Sequence, residues 1–97
     1  MNLSDFKNSI QMDTPPSGLS VYLQSLWLDK KGDWDRAHGL IDSLGGEDAA
    51  SLHAYLHRKE GDLSNAGYWY RRAGKNPASN SLEEEWEQLA RYFLTKQ

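Results

Sequence analysis

Two Gly-Asp pairs, Gly32-Asp33 and Gly61-Asp62, stand 29 residues apart, and each closes a run of apolar residues at helical spacing. Glycine stops a helix there because it enters the left-handed backbone region without a Cβ penalty. The aspartate that follows can cap the next helix by accepting a backbone N–H with its carboxylate. Each pair therefore encodes a helix, a tight corner and a second helix. Laying residues 19–44 over 48–73 supports an internal repeat. Leu23/Leu52, Lys30/Lys59, Gly32/Gly61, Asp33/Asp62 and Ala37/Ala66 are identical. The small alanine five residues past each glycine lets the second helix approach the first closely. Two hairpins of this kind, stacked, make a solenoid-type unit.

The rest of the chain fits around these corners. Leu19, Tyr22, Leu23, Leu26 and Lys30 predict a first helix over about 17–31. Trp34, Ala37, His38, Ile41 and Leu44 predict a second, ended by Gly45-Gly46. A third spans about Glu47–Glu60 with Ala49, Leu52, His53 and Leu56 on its face. Its acidic start and basic end suit the helix dipole. A fourth covers Leu63–Ala73 with Leu63, Ala66, Trp69, Tyr70 and Ala73 on its face. Ser81 and Glu84 form a capping box ahead of the stripe Leu82, Trp86, Leu89, Ala90 and Phe93. No segment alternates with period two for long enough to argue a strand. The expected architecture is all-α with about five helices. It comprises hairpin one over 17–44, hairpin two over 47–74 and a C-terminal capping helix over 81–95. Residues 1–16 are expected to be an N-terminal arm and linker. Leu3, Phe6 and Ile10 hint there at a short helix capped by Ser4, and Pro15-Pro16 break it from the domain.

Composition narrows the function classes. The chain has no cysteine, which excludes disulfides, thiolate catalysis and zinc–sulfur sites. The start lacks a basic segment followed by an apolar run, so no signal peptide is expected, and no stretch reads as a membrane span. These features point to the cytoplasm. Net charge is −3, which disfavours nucleic acid. The charge is uneven, with residues 49–78 net positive between acidic ends. That distribution suits self-association into a homodimer.

Ala50, Ala54, Gly61, Asp62, Ala66, Tyr70, Ala73 and Pro77 together resemble the tetratricopeptide repeat, and Ser25, Gly32, Asp33, Trp34 and Ala37 match it more loosely. The period is 29 where that family has 34, and His57 stands where the family usually has tyrosine. His53–Gly74 is also similar to short bacterial proteins that carry no assigned activity. The resemblance implies a helical solenoid whose inner face binds an extended peptide. It puts Tyr22, Leu26, Lys30, Tyr55, Arg58 and Lys59 on that face, where aromatic rings beside cations suit an acidic or C-terminal segment. It also implies that the last helix is a cap with Glu83, Glu84, Glu85 and Glu87 toward water.

A second constellation comes from spacing alone. His38 and Asp42 are four apart on one helix, and His53 and His57 are four apart on the next. Counting outward from the short loop between these helices brings His38 near His53 and His57, and Asp42 near Ala50 and His53. Imidazoles with a carboxylate suit a divalent metal or acid–base work near neutral pH. Packing or surface histidines are the simpler account. On the fourth helix, Tyr68, Arg71 and Arg72 fall outside the core face and form a patch for a partner. No phosphate-binding loop and no nucleophile elbow is present. The sequence therefore points first to a small protein-interaction module with a peptide-binding or self-association surface. The alternative is a metal- or small-ligand-binding protein, conceivably an enzyme, built on His38, Asp42, His53 and His57. No catalytic residue and no cofactor is assigned.

Overall fold

The computed structural model describes residues 1–97 as six helices and no strand. They are α1 (Leu3–Ser9), α2 (Val21–Lys30), α3 (Trp34–Ile41), α4 (Glu47–Glu60), α5 (Leu63–Arg72) and α6 (Leu82–Thr95). The all-α expectation holds, but the count is six where about five were expected. The additional helix is α1. Asn2 caps it, not Ser4, by accepting the Asp5 amide at 2.8 Å. Its Phe6 is fully buried and stacks on Trp86 of α6 with ring centroids 5.6 Å apart. Burying such a ring is worth about 2–3 kcal/mol, enough to hold two turns that would fray alone.

The two Gly-Asp corners have nearly the same geometry. Gly32 has φ +92° and Gly61 φ +89°, in the left-handed region. Asp33 N donates to Leu28 O at 2.9 Å, and Asp62 N donates to His57 O at 3.0 Å, each closing the preceding helix. Each aspartate then caps the next helix: Arg36 N donates to Asp33 Oδ1 and Asn65 N to Asp62 Oδ1, both at 3.2 Å. Ala37 and Ala66 are buried where the paired helices meet. In the first hairpin, α2 with α3, Ser25 Oγ also donates to Ala37 O at 2.7 Å. In the second, α4 with α5, the matching residue is the buried Ala54. The first hairpin starts at Val21 rather than near 17. The Pro15-Pro16-Ser17-Gly18 stretch stays non-helical, Gly18 has φ +83°, and Ser20 provides the cap.

The α6 helix begins with both halves of the expected capping box and then lies across α2 and α4. Trp86 Nε1 donates to Leu26 O at 3.0 Å, and Phe93 stacks on Tyr22 at 4.8 Å. Leu23, Leu26, Leu52, Leu56, Trp86 and Phe93 join Phe6 in one core. One expectation for α6 is overturned. Glu85 does not face water: it is 6% exposed, because Arg58 Nη1 reaches its carboxylate at 2.8 Å and the Tyr70 hydroxyl donates to it at 2.7 Å. Consequently α4 is the central helix, with every residue from Ala49 to His57 buried. No helix is long and apolar enough to cross a membrane.

Candidate functional site

The four residues singled out by spacing do converge. The α3–α4 connection is short, so α3 folds back along α4 and His38 lands against His53. Their Nε2 atoms share a hydrogen bond at 2.9 Å. One imidazole nitrogen from each of His38, His53 and His57 lies within 4.8 Å of the other two. Asp42 Oδ1 stands 3.6 Å from His53 Nε2 and 3.8 Å from His38 Nε2. His57 is fixed from its other side, where Nδ1 meets Glu60 Oε2 at 2.7 Å and Nε2 meets Asn65 Nδ2 at 3.4 Å.

Tryptophans wall the cluster. Trp34 stacks on His38 at 4.9 Å and meets His57 edge-on at 5.9 Å, and its Nε1 is anchored to Leu56 O at 2.7 Å. Trp69 of α5 stacks on His53 at 3.9 Å. His53 is thus covered by His38 of α3 and Trp69 of α5 and is 2% exposed. Its surroundings set its charge state. Burial comes first and the neighbouring His38 and His57 second in pushing its pKa down to about 4, with Asp42 opposing. At neutral pH the His53 ring is therefore uncharged and offers a lone pair. Its Nδ1 is buried with no partner in the chain.

The arrangement can be tested against metal geometry. Bonds of about 2.0–2.1 Å at tetrahedral angles put donor atoms about 3.3–3.4 Å apart. The separations of 2.9, 3.6 and 3.8 Å among His38, His53 and Asp42 bracket that value. Glu60 on His57 Nδ1 supplies the carboxylate–imidazole contact that orients metal-binding histidines. Asp42 adds a further sign. It is the C-cap of α3, where the helix dipole disfavours a negative charge. A cation beside it would remove that penalty.

The residues expected on a peptide groove have other partners. Tyr22 is stacked on Phe93. Lys30 lies 3.7 Å from Glu83 and 5.0 Å over the Trp86 ring. The Tyr55 hydroxyl donates to the buried Asp29 at 2.7 Å, and Lys59 reaches the same carboxylate at 2.8 Å. Arg58 pairs with Glu85 and also donates to Asn80 O. Burial, together with the adjacent carboxylates, holds the Tyr55 and Tyr70 hydroxyls above the ordinary tyrosine range. Tyr68 and Arg71 are exposed on α5.

Sequence reasoning did not assign Trp34, Glu60, Asn65 or Trp69 to the histidine cluster. Glu60 was within reach of it, three residues after His57 on the same helix. Comparison with protein-family models, curated proteins and solved structures finds no match to this chain.

Proposed function

We propose that this protein binds a divalent transition-metal ion through His38, His53 and His57, with Asp42 completing the set. The observation that carries this reading is the convergence of three imidazoles and a carboxylate from α3 and α4, one of the imidazoles being almost fully buried. Imidazole donors favour zinc, copper, nickel or cobalt over magnesium or calcium. A ligand that is already uncharged at neutral pH costs the ion no proton displacement. The helical hairpins, tetratricopeptide-like in their corners, would serve as the rigid frame. The peptide-binding reading draws less support, because Tyr22, Lys30, Tyr55, Arg58 and Lys59 are engaged by α2 and α6 of the same chain.

The test is a cobalt titration of chelator-treated protein, followed by visible absorption and by quenching of tryptophan emission. Trp34 and Trp69 lie against the histidine rings and would report an ion there. One equivalent should saturate the signal. Saturating metal should also raise the melting temperature, since an ion at 100 times its Kd stabilises by about 2.7 kcal/mol. His53→Ala and His57→Ala should lose both responses, while Lys30→Glu keeps them. A flat titration of the native chain would overturn the reading.

A further inference from the structure

The histidine cluster is covered on some sides and open on another. Trp34 and Trp69 close the cluster on two sides. Asp42, with its side chain 61% exposed, marks the side open to water. Chain geometry says what else stands there. His53 is eight residues before the Gly61 corner and Trp69 eight after it, so the two lie level across the α4/α5 hairpin. Arg72 is one turn beyond Trp69 and therefore level with Ala50. Asp42 reaches the same level from α3, because the Gly45-Gly46 turn lies midway between it and Ala50. By this count Asp42 on α3 and Arg72 on α5 stand at one level along α4, and the Arg72 guanidinium reaches back from there onto Trp69, the ring stacked on His53.

Arg72 is held but not neutralised. Its guanidinium lies 5.4 Å from the Trp69 ring centroid and 5.6 Å from that of Tyr68, and Nη1 donates to the Tyr68 hydroxyl at 2.9 Å. It takes part in none of the chain's ion pairs. A cation stacked on aromatic rings is pre-oriented, and its remaining donors suit two oxygens of one planar or tetrahedral anion. A divalent ion on three neutral imidazoles carries a net positive charge on the same side.

We propose that the metal ion takes an oxyanion, the terminal group of a carboxylate or phosphate ligand, at its water-facing position, and that Arg72 binds the anion's outer oxygens. This rests on the metal reading above. Asp42 is the ligand such an anion displaces, being exposed and seated where the α3 dipole disfavours it. Trp69 links the two halves of the site, with His53 against one part of its surface and Arg72 against another.

The experiment uses the full chain, in excess over cobalt and at constant ionic strength set with chloride. Inorganic phosphate is titrated in while the cobalt visible bands are recorded, and acetate is titrated in a parallel arm. A saturable spectral change with either anion is expected, and the tighter of the two identifies the group the site takes. Arg72→Ala should leave the cobalt titration unchanged yet require about tenfold more anion for half-saturation, the usual scale for losing a charge-assisted hydrogen bond. Arg71→Ala is the control, since its guanidinium lies along Gly67 instead. Cobalt binding with no response to either anion overturns the oxyanion proposal alone, as does an Arg72→Ala curve that overlays the native one. Failure of cobalt to bind overturns the metal reading and this inference with it.

Discussion

Replacing Arg58 by Met separates a residue held for a partner from one that holds the fold. Arg58 and Glu85 meet at 2.8 Å with side chains only 18% and 8% exposed. Removing the guanidinium leaves the Glu85 carboxylate buried with the Tyr70 hydroxyl as its remaining donor. Breaking a buried pair from one side costs about 3–5 kcal/mol. The lower end applies, because Tyr70 stays and the arginine tip is partly wet. A loss of about 3 kcal/mol is large for a 97-residue chain, whose total stability falls in the range of about 5–15 kcal/mol. In urea, with a slope of about 1.3 kcal/mol per molar, the midpoint should drop by about 2 M. The melting temperature should drop by about 15 °C. Arg58→Met with Glu85→Met should regain most of the loss, because two apolar side chains leave no unpaired charge. A single variant within about 0.5 kcal/mol of the native chain would mean that water reaches Glu85. Strict additivity in the double variant would refute the coupling itself.

Four further outcomes follow from the same geometry. In metal-free protein His53 titrates near 4 when folded and near 6.5 when unfolded, so the unfolded chain takes up a proton first. Stability from this group is full above pH 6.5 and falls as pH drops towards 4, by about 2 kcal/mol in all once partial hydration is allowed for. His53→Gln should flatten that part of a denaturation-against-pH profile, and parallel profiles would refute it. Gly61→Ala should cost about 1 kcal/mol from its φ of +89° alone, since nothing lies within 4 Å of the added Cβ. Gly67→Ala, inside α5, should gain up to about 1 kcal/mol in the same urea assay. Phe6→Ala should cost about 3 kcal/mol, because the ring is fully buried against Trp86; a change below about 1 kcal/mol would mean that α1 is dispensable.

The parts of this fold that were legible in the sequence are those set by neighbours along the chain. The Gly-Asp corners, the Ser81/Glu84 box and the His-x-x-x-His spacing each depend on fewer than six consecutive residues. They appear in the structure where the pattern put them, and the four-residue site followed by counting across one short loop. The parts that were missed depend on what a helix packs against. The apolar positions of α4 were read as one face, yet α3, α5 and α6 surround it and bury Ala49 through His57 without a break. Periodicity carries no information for a helix enclosed on all sides. Glu85 and Asp29 were missed for a related reason. Each is a charge on a buried seam, made tolerable by a tyrosine and a cation from α4 or α5 that only tertiary contact brings near.

The same enclosure explains why the site sits where it does. A cluster of histidines on a surface helix would be solvated, with its rings turning freely. On α4 the rings are clamped from two directions, by Trp34 on α3 and Trp69 on α5, while Glu60 holds His57 from its own helix. Burying His53 with an unpartnered Nδ1 works against stability, since an apolar side chain of the same shape would leave nothing unsatisfied. The two carboxylates buried elsewhere along α2 and α6 have every chance to do similar harm, and both are matched by a hydroxyl and a cation. Two buried side-chain atoms of the chain lack a partner, Nδ1 of His53 and Oδ1 of Asn80. Only the first belongs to a cluster that could hold an ion, where His38 Nε2, His53 Nε2 and Asp42 Oδ1 are turned toward one another. Imidazoles and a carboxylate set face to face in this way argue for a ligand there rather than for packing.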